Sequence, residues 1–230
     1  MDPLEQRRGF LTLAGASLAL LACQGEKGER KAEDVGAVED LMREHGVIRR
    51  ILVVYRETAP RLRVNAAVVP PAALQQAALL MQNFGENYHE KLLEEERLFP
   101  AVKKAGGPAA SLIDPLIAQH QRGREITDYV LSSTKQTIAS ANAESLASAL
   151  EGFARMYEEH AAQEDTVVFQ AWKKALSKKQ LSDMGDQFEE IEHKTFGKDG
   201  FDYARDKIAN IEGELGITLG GFLPPPPPKT

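Results

Sequence analysis

Histidines occur at positions 45, 89, 120, 160 and 193 of the 230-residue chain. Imidazoles and carboxylates bind transition metals or move protons near neutral pH, so the company each histidine keeps decides which chemistry is on offer. His160 has Glu164 four residues on, in His-Ala-Ala-Gln-Glu-Asp. Four residues turn a helix by about 400°, which puts both side chains on one face, one turn apart. So placed, they can share one metal ion or serve a pair, and iron or manganese tolerates that mixed donor set. Alone, this spacing is common on solvated helices.

A second segment echoes the first. Glu94-Glu95-Glu96-Arg97-Leu98-Phe99 aligns with Glu164-Asp165-Thr166-Val167-Val168-Phe169, each with a carboxylate five residues before a phenylalanine. Upstream the copies differ, because His89 precedes Glu94 by five residues rather than four. Five residues of regular helix turn about 500°, which leaves Glu94 about 140° away from His89. Either a π-bulge within Leu92-Leu93 restores the common face, or Glu90, four before Glu94, joins or replaces it. Both glutamates stay candidates, with Glu94 favoured; Glu95 and Glu96 read as solvated or supporting. His45 lies on the apolar stripe of Leu41, Ile48 and Leu52, and His120 has Leu116 and Thr127 on its side. A lone inward imidazole is ordinarily a satisfied core residue. Four of them, with carboxylates, would leave costly unpaired groups if buried without a metal.

The elements that must position these residues are helices almost throughout. The spacing predicts a helix over 34–58, a loop over 59–70 with Pro60 and Pro70 as breakers, and a second helix over 71–104 that stops before Gly106-Gly107. A third starts after Pro108 or at Asp114-Pro115 and runs to Ser140. A fourth, capped by Asn142, runs to Leu176. One histidine falls on each. Four long helices with short connections make an antiparallel up-down four-helix bundle, which can gather one side chain per helix at a common level. A C-terminal helical pair follows: Ser177 and Gln180 form a capping-box pattern opening a helix to His193, and Asp199 opens another that stops near Gly216. The domain reading is thus an export segment over 1–23, a tether over 24–33, the bundle over 34–176, the helical pair over 177–216 and a proline-rich tail over 217–230. The five prolines at 224–228 favour extended polyproline II and read as a spacer.

The stretches MREHGVIRRIL, YHEKLLEEERLFP, LIAQHQRGREITDYV and MYEEHAAQEDTVVF together resemble the hemerythrin-like (HHE) cation-binding domain. The resemblance spans roughly 34–215, because DQFEEIEHKTFGKDGF is similar to an extension of exported bacterial members. It implies an oxo- or hydroxo-bridged pair of irons, with manganese or zinc as other occupants of the same donors. The ligands it implies are His45, His89, Glu94, His120, His160 and Glu164, with Glu90 as a further one. One position departs from the pattern of the oxygen carriers. Four residues along the third helix they place a second histidine, where this chain has Arg124. An extra carboxylate, a water or an open position must then complete the site, which counts against simple oxygen carriage. Tyr88 and Tyr157 each sit near a ligand histidine and read as core packing or as gates to the pocket. Trp172 reads as core, and His193 as a surface residue or a cap over the bundle end.

The N-terminus carries a different signal. Arg7-Arg8 precede an apolar run over 10–22, too short to span a bilayer, which resembles a twin-arginine export signal. It ends in Leu20-Leu21-Ala22-Cys23, similar to a bacterial lipobox, so Cys23 is the candidate lipidation site and a membrane anchor. Cys23 is the only cysteine, which excludes an intrachain disulfide. These features place the protein in the periplasm or cell envelope. The 43% apolar content suits a globular core, and a net charge of −6 without a basic stripe argues against nucleic-acid binding. No substrate pocket, second redox cofactor or electron-donor motif is evident. A non-catalytic metal protein that binds O2, NO or iron for sensing, scavenging or storage therefore ranks first. A di-iron oxidoreductase acting on O2 or peroxide ranks second, and a structural helical lipoprotein without metal third.

Overall fold

The structure, a computed structural model, describes residues 35–228. The expected export segment with Cys23 and the tether over 24–33 lie outside the described residues. Every regular element among the described residues is helical. Helix α1 is Ala37–Asn65. Helix α2 runs without a break over 71–105, as α-helix Pro71–Leu80, π-helix Met81–Leu98 and α-helix Phe99–Ala105. Helix α3 is Ile113–Ser133. Helix α4 runs over 143–175, as α-helix Ala143–Gln163, a π-turn Glu164–Val168 and α-helix Phe169–Ala175. Helices α5, Lys178–Phe196, and α6, Gly200–Glu214, complete the chain.

Several boundaries follow the local chemistry expected of them. Pro71 opens α2 at a position where a missing amide costs nothing. Gly106 and Gly107 stop it with φ of 74° and 79°, a region that favours glycine. Ser177 and Gln180 make the reciprocal capping box, and Asp199 accepts from the Asp202 amide.

Others move. Helix α1 does not break at Pro60 but continues to Asn65. An interior proline costs about 3 kcal/mol. Here burial of Ala59 and Leu62, and ion pairs from Arg63 to Glu144 and Glu151 of α4, hold the last turns in place. Helix α3 ends at Ser133, about two turns before the expected Ser140, because the Thr134 amide and hydroxyl both close on the Val130 carbonyl. The chain then extends and buries Ile138. Asn142 makes no side-chain cap; a 3-10 turn at Ser140–Asn142 leads into α4 instead. Helix α5 runs one turn beyond His193, to a left-handed Gly197.

The helices form a bundle in which α1 packs along α4, α4 along α3, α3 along α2 and α2 back against α1. Helices α5 and α6 lie against α1 and α2. Leu41, Ile48, Ile51, Phe84, Leu98, Phe153 and Phe169 fill the interior between the four long helices. Trp172 is buried and stacks on Phe188 of α5, with ring centroids 5.9 Å apart. His193 is exposed. No helix among the described residues is long and apolar enough to cross a membrane.

Candidate metal centre

The π-helix of α2 solves the five-residue spacing. Bonding from i to i+5 adds roughly one residue to each turn, so positions five apart return to one face. Phe84, His89, Glu94 and Phe99 form such a series, and each is 1% exposed or less. The widening is spread over Met81–Leu98 rather than confined to Leu92-Leu93, because the whole series has to face the core. The paired motifs also share a backbone cause: the Phe99 amide bonds to the Glu94 carbonyl and the Phe169 amide to the Glu164 carbonyl, both from i+5 to i.

Four imidazoles meet in the interior. His45 and His89 have ring centroids 4.7 Å apart, as do His120 and His160. Glu94 lies between the pairs, with Oε1 3.3 Å from His89 Nε2 and Oε2 3.4 Å from His120 Nε2. Glu164 does the same, with Oε2 3.4 Å from His45 Nε2 and 3.0 Å from His160 Nε2. All six residues are buried to 1% exposure or less. Phe169 stacks on His45 at 5.3 Å and Phe99 on His120 at 5.6 Å, fixing the ring planes.

Each ring has its other nitrogen engaged. Nδ1 of His45 lies 2.7 Å from Asp165, that of His89 2.5 Å from Glu44, that of His120 3.1 Å from Glu95 and that of His160 2.9 Å from the Gln119 side-chain oxygen. These oxygens can only accept, so in a neutral ring Nδ1 carries the proton and Nε2 the inward lone pair. That assignment rests on the hydrogen-bond network. The sequence reading missed Glu44, Gln119 and Asp165. The signal was available: an acceptor directly precedes His45 and His120, and one directly follows Glu94 and Glu164.

Without a cation the arrangement is uncomfortable. His89 Nε2 and both oxygens of Glu94 and Glu164 have no hydrogen-bond partner. His120 Nε2 and His160 Nε2 face each other at 3.0 Å, and two lone pairs at that distance repel unless an electrophile or a proton lies between. Burial alone would lower the imidazole pKa values. The carboxylates around them outweigh it, pushing His45 up, His89 well up and His120 up to about 10. Burial and Glu164 raise Glu94, but His89 and His120 hold it below the usual carboxylate range. His160 and His45 likewise hold Glu164 low against its burial. The cluster attracts positive charge, and its nitrogen and oxygen donors fit divalent transition metals. Glu94, His120, His160 and Glu164 bring one ligand atom each within 4.8 Å of one another, as do His45, His89 and Glu94.

Glu90 is placed apart from the convergent nitrogens. Its Oε2 lies 3.9 Å from His120 Nδ1 and 3.0 Å from Arg124. It groups with Glu95 and the outer nitrogen of His120. Arg124, where a histidine was missed, points to Glu90 and Glu95. The Tyr88 hydroxyl donates to Glu44 at 3.0 Å, while Tyr157 lies 5.0 Å from the His160 ring with its hydroxyl unpartnered.

The hemerythrin HHE cation-binding domain matches residues 36–172. Uncharacterised proteins of Mycobacterium tuberculosis and Mycobacterium bovis are each 40% identical over 234 residues, covering 95% of this chain and 91% of the relative. No solved structure matches the chain.

Proposed function

The chain belongs to the hemerythrin HHE cation-binding family, and from that premise we propose that it is a non-haem di-iron protein that binds a small ligand such as O2, NO or peroxide, or iron itself. On this reading the four long helices are an antiparallel up-down bundle. His45, His89, His120 and His160, with Glu94 and Glu164, would hold the two irons. The carrying observation is that buried His89 Nε2 and all four oxygens of Glu94 and Glu164 converge with no hydrogen-bond partner inside the protein, beside His120 Nε2 and His160 Nε2 set 3.0 Å apart. A metal pair at this place supplies redox change and an exchangeable coordination position. The chain's own residues do the rest. Asp165, Glu44, Glu95 and Gln119 hold the imidazoles in the metal-binding tautomer, and Phe99 and Phe169 clamp two of the rings and keep bulk water out. The role we assign is sensing, scavenging or storage at the bacterial cell envelope, reached through the twin-arginine-like signal and held there by a lipid on Cys23; the N-terminal sequence pattern supports this.

Metal content and the visible spectrum of full-length protein from an iron-replete host test the reading. We expect about two irons per chain, with absorption of an oxo-bridged ferric pair. His160→Ala or Glu164→Ala lowers the iron content by at least about half, since each removes a donor that no neighbour replaces. Unchanged iron in both variants would sink the ligand set.

A further inference from the structure

The two halves of the centre repeat each other. Helices α1 and α2 supply His45, His89 and Glu94; α3 and α4 supply His120, His160 and Glu164. The repeat extends to Arg49 and Arg124, each four residues after its histidine. Arg49 pairs with Asp165 and Arg124 with Glu95. It fails at two places on α2. Glu86 and Glu90 stand three before and one after His89, where α4 has Tyr157 and Ala161 around His160. The second half builds its histidine pair without acids there, so ligation of the centre by itself does not require them.

Both extra acids are buried, 2% and 1% exposed, and each keeps Oε1 without a hydrogen-bond partner. Glu90 Oε2 lies 3.0 Å and Glu95 Oε1 2.6 Å from the same Arg124 nitrogen. Glu86, four residues before Glu90 on α2, adds a further buried carboxylate within electrostatic reach of that guanidinium. Lys91 pairs with the other oxygen of Glu95 at 3.1 Å, so Arg124 is left as the cation beside the two fully buried acids, in a place where water hardly offsets the remaining charge. The Arg124 side chain is 32% exposed, so it joins the acids to solvent. On their inner side stands the His120 ring, with Nδ1 3.1 Å from Glu95 and Nε2 3.4 Å from Glu94.

We propose that Glu86, Glu90 and Glu95 form an antechamber that takes a divalent cation from solvent, in exchange for the Arg124 guanidinium, and passes it around His120 to Glu94 and the centre. The antechamber rests on the metal-centre reading above. Carboxylate oxygens suit hard divalent cations, and Arg124 occupies the cation's place in the meantime. The transfer is an exchange of ligands with no bond made or broken in the protein. A cleft of one charge sign raises the capture rate of an opposite ion by about 10-fold or more.

Mixing metal-free full-length protein with Co2+ in a stopped-flow instrument tests this, with uptake followed by cobalt absorption and final content by elemental analysis. Glu86→Gln, which keeps volume and removes one charge, slows uptake about 10-fold. Arg124→Gln, which removes the competing cation, speeds it several-fold. Both variants reach the wild-type cobalt content. Uptake at the wild-type rate in both overturns the antechamber and leaves the centre standing. A wild-type chain that takes up no Co2+ overturns both.

Discussion

Glu44 uses both of its oxygens, one for the Tyr88 hydroxyl at 3.0 Å and one for His89 Nδ1 at 2.5 Å. A glutamine there has a single acceptor oxygen, so one of the two bonds fails. If the imidazole loses its acceptor, nothing fixes the tautomer that aims Nε2 inward. Glu44→Gln is therefore expected to weaken metal binding about 10–100-fold, as loss of such supporting groups usually does, while saturating metal still fills the site. Competition against a chelator of known affinity measures it; an unchanged affinity would mean that packing against His45 and Tyr88 alone orients the ring. The same reasoning explains why the supporting acceptors were harder to find in the sequence than the donors. Histidine is rare enough to stand out at one per helix, whereas Glu44, Gln119 and Asp165 belong to a polar population found on any helix surface. Burial separates Glu44, which is fully buried, from the exposed Glu39 of the same helix, while Gln119 and Asp165 are half-buried and are marked only by the imidazoles they meet.

At the level of elements, α5 and α6 pack against α1 with a buried acid near those of α1. Glu192 is 5% exposed and accepts from the Phe201 amide at 2.7 Å, with Asp40 and Glu44 of α1 nearby. Burial above all, then the neighbouring Asp199, Glu44 and Asp40, push Glu192 up to about 7. Burial and Glu44 push Asp40 up to about 6, against the pull of Arg43. Both carboxyls hold their protons more tightly in the fold than in the unfolded chain. Their protonation favours the folded state at acid pH, and that contribution is lost as pH rises from about 4 through about 7. Glu192→Gln keeps the acceptor and removes the charge. It should raise the melting temperature at pH 8 by about 2–4 °C, and hardly at all at pH 5. Equal shifts at both pH values would show that the charge is already relieved. The π-helix teaches a related lesson. The five-residue period of Phe84, His89, Glu94 and Phe99 was present in the sequence, and the conflict between His89 and Glu94 pointed to a π distortion. Its length was not legible, because i-to-i+5 bonding is sustained by tertiary packing rather than by local propensity.

For the whole molecule, metal and fold are linked. A metal that binds the folded chain alone stabilises it by about 2.7 kcal/mol when its free concentration is a hundred times its dissociation constant. For a domain of this size that raises the melting temperature by about 5–10 °C. Thermal melts with iron(II) or cobalt(II) under exclusion of oxygen, and again with excess chelator, measure the difference. A midpoint indifferent to metal would place the histidine cluster outside the folding equilibrium and count against a bound centre.

Residue type and spacing alone determined that the chain is helical, that each long helix carries a histidine, and that Glu94 and Glu164 stand in equivalent motifs. Those properties are periodic, and a helix converts sequence period directly into a face. The tertiary structure decided what the faces meet. It set Glu94 and Glu164 between two histidine pairs, gave each ring an acceptor from another helix, turned Glu90 outward to Arg124 and carried α1 through Pro60. Each of these depends on groups far apart in the chain that come together only when the helices pack, and a free-energy difference of that kind leaves no mark on local periodicity.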